Sequence, residues 1–359
     1  MSLEEFLSLS NYSMPQAAKE ARLLPEMLSL TARHYELCPA YRRVIDVFAP
    51  KWRTAQCLGA LPWIPVTLFK THELRSIPAE SVTNILTSSG TTGQRVSRIA
   101  LDARAADLQS RALASVIGQL LGPRRLPMIV VDSKAVISDP RLMSARGAGV
   151  LGMMKFGRNH FFALDEDMRI DSAGLRAFLS LYGSESFLLF GFTFMVWRHF
   201  FQALGDGFDL RNGILVHSGG WKKLAGEAVD NAAFKQTVAH KTGLKRVYNF
   251  YGMVEQIGSI FLEGDDGLLY PPIFGDVIVR DPETWAEVAP GQVGLIQALS
   301  LLPSSYPGHS ILTEDLGVIE HQDGSSCGRL GKAFRVIGRA PQAELRGCSD
   351  VPAFAGKTV

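Results

Sequence analysis

Strand-like and helix-like segments alternate through the middle of the chain, and this alternation restricts the possible folds more than any other feature of the sequence. Short apolar runs typical of buried strands occur at residues 128–131, 187–190, 213–216 and 246–249. Segments with the apolar spacing of a helix lie before or between them, at residues 103–121, 175–182, 193–204 and 225–242. This β-α-β order predicts a largely parallel sheet that is covered by helices.

The two flanks of this region have different patterns. Residues 2–47 are predicted to be mostly helical, with a break at Pro39. Beyond residue 275, the apolar runs 276–280 and 294–299 each follow turn residues, which favours an antiparallel or barrel-like element. The expected fold class is therefore α/β, with mostly parallel sheets covered by helices and a small β-barrel-like element.

Composition restricts the class of partner. The chain has 359 residues, of which 47% are hydrophobic, so it can bury one large core or a principal domain with a small appendage. Its 37 basic and 35 acidic residues give a net charge of +2, and no basic run is longer than two residues. Nucleic acid and anionic membrane surfaces are therefore poor candidates, and a small substrate or one protein partner fits better.

The N-terminus and the cysteines indicate a location. Glu4 and Glu5 stand where a signal peptide would carry Lys or Arg, and no apolar stretch reaches the roughly 18 residues of a membrane span. The cysteines lie far apart and form no CxxC pair: Cys38, Cys57, Cys327 and Cys348. We therefore expect a cytoplasmic protein with reduced thiols, with no integral membrane segment and no zinc site.

A loop rich in hydroxyl groups and glycine follows the apolar run 82–86. Its residues are Ser88, Ser89, Gly90, Thr91, Thr92 and Gly93. Glycines allow a tight turn with inward N–H groups, and the hydroxyls add donors, so the loop is suited to a phosphate group. It lacks the lysine of a Walker loop. The alternative is a solvated surface loop.

A second glycine-rich cluster follows the predicted strand 213–216. Gly219 and Gly220 allow the main chain to approach a flat ligand, and Lys222 is placed to meet a phosphate or a carboxylate. An ordinary turn between a strand and a helix explains the cluster equally well. His217, next to the glycines, either lines a pocket or has a structural role.

An aromatic and acidic cluster follows the predicted strand 246–249. Tyr251, Gly252 and Glu255 fall within five residues, where an aromatic face suits adenine and a carboxylate suits Mg²⁺. Farther along, Asp315 precedes Leu-Gly and is placed to accept ribose hydroxyls. Plain turns are the alternative at both places.

The last polar cluster begins at Gly338-Arg339. Arg346 and Gly347 precede Cys348 near the end of the chain. A neighbouring cation favours the thiolate form of a cysteine, which is its nucleophilic form. A small tail residue without a reactive role is the alternative.

In this order and spacing, the clusters resemble the adenylate-forming superfamily, and within it the LuxE-type acyl-protein synthetases of the bacterial luciferase fatty-acid reductase system. The resemblance spans nearly the whole chain, and its most specific matches are residues 88–93, 219–222, 251–261, 313–317 and 346–349. It implies an adenylating domain at residues 1–335, helical up to about residue 50, and a truncated C-terminal region, a short hinge and tail at residues 336–359 that carry Cys348.

The resemblance also implies an activity. Such an enzyme uses ATP and Mg²⁺ to convert a carboxylic acid, here a fatty acid, into an acyl-adenylate, and then holds the acyl group as a thioester for a partner acyl reductase. The loop 88–93 would hold the β and γ phosphates, Tyr251 would stack on adenine, and Asp315 would bind the ribose. Glu255 would bind Mg²⁺. The other expected nucleotide-binding residues are Gly219, Gly220, Gly252 and Arg339, and the expected catalytic residues are Cys348, Lys222 and Glu255.

The chain departs from the superfamily pattern at several positions. Val254 stands where many members have a threonine that binds the α-phosphate, and Arg95 or Arg98 would supply the charge that a lysine gives after the hydroxyl-rich loop in many relatives. Most adenylate-forming enzymes contact the reacting carboxylate with a lysine of a C-terminal domain, and the sequence offers Lys222, Arg339 or Lys332 in its place. Two other functions stay open. One is an acid:CoA ligase that uses free CoA instead of Cys348, and the other is a nucleotide-binding subunit without catalysis.

Overall fold

The computed structural model describes residues 3–88, 96–138, 145–220 and 229–340. The α-helices of these ranges are α1 (Leu3–Ser8), α2 (Gln16–Leu37), α3 (Pro39–Phe48), α4 (Leu68–Thr71), α5 (Ala103–Leu121), α6 (Ala135–Ser138), α7 (Ala145–Met154), α8 (Ser172–Tyr182) and α9 (Asn231–Thr242). A π-helix covers Met195–Phe201, and short 3-10 turns lie at Trp52–Thr54, Leu58–Ala60, Ala79–Ser81 and Val254–Gln256.

The strands of the same ranges are β1 (Ile64–Pro65), β2 (Asn84–Thr87), β3 (Arg98–Leu101), β4 (Leu126–Ser133), β5 (Gly157–Leu164), β6 (Phe187–Phe192), β7 (Gly213–Ser218), β8 (Arg246–Tyr251), β9 (Phe261–Glu263), β10 (Leu269–Tyr270), β11 (Gly275–Arg280), β12 (Val293–Ser300), β13 (Ser310–Gln322) and β14 (Lys332–Arg339). Apart from the hairpin β2–β3, the described strands join one sheet. Its strand order is β11-β12-β13-β14-β10-β9-β8-β7-β6-β4-β5, and β1 pairs with β13.

The sheet has a parallel half and an antiparallel half. Strands β5, β4, β6, β7 and β8 run parallel, and the pairs from β8–β9 onward to β11–β12 run antiparallel. In the parallel half, β4 lies between β5 and β6, so the winding direction reverses beside it. Ligands of such sheets bind outside the carboxyl ends of the strands.

Both faces of the parallel half are buried. Val130 packs with Val116 and Ile117 of α5 on one face, and its neighbour Val131 packs with Leu175 of α8 and Phe200 of the π-helix on the other. Successive strand residues point to opposite faces, so both must be apolar when helices cover both sides. This is why the short apolar runs of the sequence predicted these strands.

The predicted fold class is confirmed, and several elements match in detail. Helix α5 has the expected bounds; Asp102 caps its first turn by accepting a hydrogen bond from Ala105 N at 2.7 Å, and Gly122 ends it at a φ of 75°. The break at Pro39 is also present, because α2 ends at Leu37 and Pro39 begins α3. The predicted helix 193–204 corresponds to the π-helix.

Other elements were not predicted. Residues 313–317, for which a surface turn was one reading, lie inside the 13-residue strand β13. Strands β5 and β14 were also missed. The antiparallel strands, expected as an antiparallel or barrel-like element, are antiparallel and continue the parallel sheet through β9.

A buried ionic cluster joins α2 to the antiparallel half. Lys332 Nζ lies 3.4 Å from Asp276 Oδ1 and Lys19 Nζ lies 3.9 Å from Asp276 Oδ2, with all three side chains almost fully buried. Burial lowers the pKa of Lys19 to about 8. Lys332, one of the lysines suggested for catalysis, is thus engaged in a structural contact.

Three buried histidines make the fold sensitive to acid. Burial lowers the pKa of His34 and of His217 from 6.5 to about 3, and that of His309 well below its usual value. The ring of His34 stacks on His309 at 4.9 Å, its Nε2 pairs with the Pro303 carbonyl at 2.9 Å and its Nδ1 pairs with the Ser76 hydroxyl at 2.8 Å. These rings are neutral in the folded chain.

We predict that the protein loses stability between pH 7 and pH 5. The histidines of the unfolded chain take up protons below pH 6.5, whereas the buried ones of the folded chain do not. His34 and His217 should therefore each lower the unfolding free energy by about 2 kcal/mol between pH 7 and pH 5. Urea unfolding at both pH values measures the loss. The variant His34→Gln should show a loss smaller by about 2 kcal/mol; an unchanged loss would contradict the assignment.

Candidate active site

A tyrosine and an aspartate from the two halves of the sheet meet at the end of β8. Tyr251 is the last residue of β8, and its hydroxyl donates a hydrogen bond to Asp315 Oδ2 of β13 at 2.7 Å. Burial raises the pKa of both groups, and the negative charge of Asp315 raises that of Tyr251 further. The raised pKa keeps the Tyr251 hydroxyl protonated, so this hydroxyl is the donor of the bond.

A buried carboxylate lies just beyond this pair. Glu255 belongs to the 3-10 turn Val254–Gln256 and is only 5% exposed. Gln256 holds the turn in place, because its Nε2 donates to the Ala298 carbonyl at 2.9 Å and the Gly308 carbonyl at 2.8 Å. Burial raises the pKa of Glu255, against the opposing effects of the Ser97 hydroxyl and the Lys70 charge.

Ser88 and Ser97, which flank the hydroxyl-rich loop on its two sides, pair with each other near Glu255. Ser88 N donates to the Ser97 carbonyl at 3.2 Å, and Ser97 N donates to Ser88 Oγ at 2.9 Å, which closes the loop at its base. Ser97 is buried, and its hydroxyl favours the charged form of Glu255. Ser88 and Glu255 thus lie at one place, although 167 residues separate them in the sequence.

Two cations border the three carboxylates of the site. Arg339 Nη2 lies 3.2 Å from Glu314 Oε2, and its Nε lies 4.0 Å from Asp315 Oδ1. Lys70 Nζ of α4 lies 3.8 Å from the same Glu314 oxygen. Sequence reasoning missed Lys70, because only the pairing of β1 with β13 brings α4 to this place. Glu314 lies in the matched segment 313–317 but was assigned no role.

The predicted glycines lie at the carboxyl ends of β7 and β8. Gly219 has a φ of 88°, and a Cβ there would lie 3.3 Å from a ring carbon of Phe192, so the position favours glycine. Gly220 is open to solvent, and a Cβ on Gly252 would make an ordinary contact with Ile260. Gly219 and Gly220 thus lie beside the end of β8, and Gly252 directly follows it.

His217 is buried under the same edge. Its Nδ1 pairs with the Thr193 hydroxyl at 3.0 Å, and its ring stacks on Phe234 at 4.7 Å. Burial holds its pKa at about 3, so the ring is neutral. A neutral, enclosed imidazole supports the structural reading of this residue.

The structure therefore brings together Ser88, Tyr251, Glu255, Asp315 and Arg339 of the predicted site. Other predicted site residues lie outside the described ranges: Ser89, Gly90, Thr91, Thr92, Gly93, Lys222 and Cys348. Within the described ranges, no three His, Cys, Asp or Glu side chains group closely enough to hold a metal ion by themselves. Nor does any helix of those ranges have the length and apolarity to cross a membrane.

Comparison with known proteins identifies the family. A model of the family described as acyl-protein synthetase, LuxE, matches residues 7–355. The chain belongs to this family. It is therefore an enzyme of the acyl-protein synthetase type, as the sequence motifs predicted.

Two relatives are luminescence ligases. The long-chain-fatty-acid–luciferin-component ligase of Vibrio harveyi is 25% identical over 353 residues, which cover 91% of this chain and 88% of that protein. The ligase of the same name from Aliivibrio fischeri is 25% identical over 284 residues, covering 73% and 70% respectively.

Solved structures show the same fold. A 2-hydroxyisobutyryl-CoA ligase in an open conformation with 2-HIB-AMP and CoA aligns with a TM-score of 0.67 and 18% identity, over 91% of this chain and 71% of that one. The same ligase in its thioesterification state aligns with a TM-score of 0.67 and 19% identity. The predicted adenylate-forming fold is confirmed.

We predict that Tyr251→Phe lowers the unfolding free energy by about 1 kcal/mol, because it leaves the half-buried Asp315 without its donor. The matched control is Tyr35→Phe. The Tyr35 hydroxyl donates to Asp46 at 2.6 Å on the exposed surface, and its removal should lower the unfolding free energy by less than about 0.5 kcal/mol. Urea unfolding at pH 7 measures both. Equal effects of the two substitutions would contradict the importance of the Tyr251–Asp315 bond.

Proposed function

We propose that this enzyme activates a carboxylic acid with ATP, transfers the acyl group to its own Cys348 as a thioester, and passes it to an acyl reductase. Membership of the acyl-protein synthetase family supports the acid activation. The single observation that carries the proposal is the convergence of the Tyr251–Asp315 pair and Glu255 at the base of the loop 88–93. An acyl-adenylate needs all of these parts around one ATP molecule.

Adenylation solves the chemical problem of an unreactive substrate. A carboxylate repels nucleophiles and has no good leaving group. In the proposed step, a carboxylate oxygen attacks the α-phosphorus of ATP, the new O–P bond forms, and the bond from the α-phosphorus to the bridging oxygen breaks as pyrophosphate leaves. No general base is needed, because the acid is already ionised. Catalysis then rests on positioning and on charge stabilisation.

The described residues suit the nucleoside end of ATP. In the proposal, the ring of Tyr251 supports adenine while its hydroxyl holds Asp315 in place to accept the ribose hydroxyls. Arg339 lies beside Asp315, at the edge of the same site. Gly219, Gly220 and Gly252 leave the main chain at the ends of β7 and β8 uncovered for the nucleotide.

Glu255 fits a Mg²⁺ ion that ATP carries into the site. Mg²⁺ is usually held by one or two carboxylates together with substrate phosphates, so a lone buried carboxylate beside a phosphate loop is a sufficient protein ligand. The ion would supply neutralisation of the charge that develops on the phosphates. The loop residues Ser88 to Gly93 would donate hydrogen bonds to the β and γ phosphates.

The second half of the proposal is acyl transfer. The thiolate of Cys348 attacks the acyl carbon, the S–C bond forms, and the C–O bond to AMP breaks; the thiol proton is lost to solvent beforehand. Arg346, two residues away, favours the thiolate. The division into an adenylating domain at residues 1–335 and a tail at residues 336–359, and a role for Lys222 in catalysis, belong to the same proposal.

The names of the relatives indicate substrate and partner. Both are long-chain-fatty-acid ligases of a luciferin component. We therefore propose a fatty acid as the substrate, a fatty acyl reductase as the protein that receives the acyl group, and the cytoplasm as the location. A thioester keeps the acyl group activated for reduction.

We predict that Cys348→Ser retains fatty-acid-dependent exchange of pyrophosphate into ATP but is not labelled by radioactive fatty acid in the presence of ATP and Mg²⁺. Adenylation does not use the thiol, whereas the covalent label requires it. The control is Cys57→Ser, which removes an exposed cysteine and should keep the label. Exchange, label retention on denaturing gels and CoA thioester formation are measured on the same preparations.

Three outcomes would contradict the proposal. A label retained in Cys348→Ser would place the acyl group elsewhere. Full formation of acyl-CoA by Cys348→Ser would favour an acid:CoA ligase, the activity named for the 2-hydroxyisobutyryl-CoA ligase of the same fold. ATP binding without exchange for any acid would favour a nucleotide-binding subunit without catalysis.

We also predict that Asp315→Asn weakens ATP binding by about tenfold, because it removes the charge that accepts the ribose hydroxyls. The asparagine oxygen can still accept the Tyr251 hydrogen bond, so the local fold is kept. Calorimetric titration with ATP and with 2′,3′-dideoxy-ATP is the measurement. Dideoxy-ATP should bind the wild type and Asp315→Asn with equal affinity. If the substitution weakens dideoxy-ATP binding as much as ATP binding, Asp315 does not bind the ribose.

A further inference from the structure

We propose that Lys70 binds the polyphosphate of ATP. This inference rests on the proposed function, since it takes ATP as the substrate. The loop 88–93 has no lysine, and nothing in the local sequence around Lys70 marks it as a site residue. Its place in the fold carries the inference.

The backbone of Lys70 is fixed to the strand that carries Asp315. Strand β1 pairs with β13, with Pro65 opposite Leu312, and Val66 N donates to the Leu312 carbonyl at 2.9 Å. Phe69 is 2% exposed, and its ring meets the ring of Tyr306 at 6.0 Å. The backbone of α4 is therefore fixed, and the Lys70 side chain extends into the site from this fixed position.

The side chain of Lys70 is available for a new partner. Its Nζ lies 3.8 Å from Glu314 Oε2, longer than a direct hydrogen bond, and its side chain is 35% exposed. Glu314 also binds Arg339 Nη2 at 3.2 Å. Glu314 would thus keep a cation if Lys70 turned toward a phosphate, so the change leaves no carboxylate unpaired.

The two cations act on different carboxylates of the site. Arg339 lies 4.0 Å from Asp315 and lowers the pKa of that carboxyl group, against the effect of burial. Lys70 likewise lowers the pKa of Glu255, and so does the hydroxyl of Ser97. Lys70 therefore lies beside Glu314, one residue from the proposed ribose ligand Asp315, and its charge also acts on Glu255, the proposed ligand of the ion that ATP brings.

Binding of ATP would add negative charge to a site that already has more acidic than basic side chains, so a further cation contact would stabilise the bound phosphates. Glu255, Glu314 and Asp315 are three acids against Lys70 and Arg339, and ATP adds several negative charges. Lys332 is held in the buried cluster with Asp276, Arg98 is an exposed residue of β3, and Arg95 lies outside the described residues. Lys70 is anchored beside Glu314, and its charge lowers the pKa of Glu255.

The test compares ligands with and without phosphates. Lys70→Met should bind ATP about 10–100-fold more weakly than the wild type, because a charge-assisted contact to phosphate is lost. It should bind adenosine with unchanged affinity. The salt dependence of ATP binding should also become weaker. Lys70→Arg keeps the charge and should restore part of the affinity, and Lys51→Met, at an exposed site nearby in sequence, is the matched control.

Calorimetric titration and thermal unfolding of each variant are measured together. ATP affinity unchanged in Lys70→Met, or adenosine affinity lost in parallel with ATP affinity, would overturn the role of Lys70 while leaving the proposed function intact, provided that the wild type exchanges pyrophosphate. A wild-type protein that binds no ATP would overturn the proposed function and this inference together. Unfolding temperatures equal to that of the wild type show that the variants are folded.

Discussion

The hydrogen bond between Tyr251 and Asp315 joins the two halves of the sheet at the place where the site is built. Tyr251 ends the last parallel strand, and Asp315 lies 64 residues later in the antiparallel half. Strands β14, β10 and β9 lie between β13 and β8 in the sheet, so the two side chains can meet only because this part of the sheet curves. A shift of one residue in β13 would turn Asp315 to the opposite face. The site therefore depends on the pairing of the whole antiparallel half.

Burial makes these carboxylates useful and also costly. Glu255 and Asp315 are removed from most of the surrounding water, which raises the pKa of each, and each is stabilised by a small number of donors and cations. Because the local dielectric constant is low, a charge placed beside them acts more strongly than it would at the surface. In the proposed reaction, the same property would let a few residues hold the highly charged ATP in one orientation, and such positioning is a main contribution that a protein makes to phosphoryl transfer.

The sequence predicts what depends on local pattern. Helix α5 was predictable to the residue because apolar periodicity, the Asp102 cap and the Gly122 end agree. The strands of the parallel half were predictable because both faces are apolar. The position of Lys70 was not predictable, since a two-residue strand places it against β13 about 245 residues away. Tyr251 and the segment 313–317, which contains Glu314, stand out in the sequence as motifs, whereas Lys70 becomes visible only through strand pairing.

The sharing of Glu314 explains how such a site can exist before its substrate arrives. If Lys70 were the single cation near Glu255 and had no other carboxylate to pair with, it would stay bound to Glu255 and would not be released to a substrate. With Glu314 between Lys70 and Arg339, each cation has a partner in the free enzyme, and one of them can leave without exposing an unpaired charge. The cost of rearrangement on binding is then small, because one ion pair is exchanged for another in the same partly exposed place. A site preorganised in this way spends little binding energy on moving its own charges, and more of that energy is available to orient the reacting phosphate.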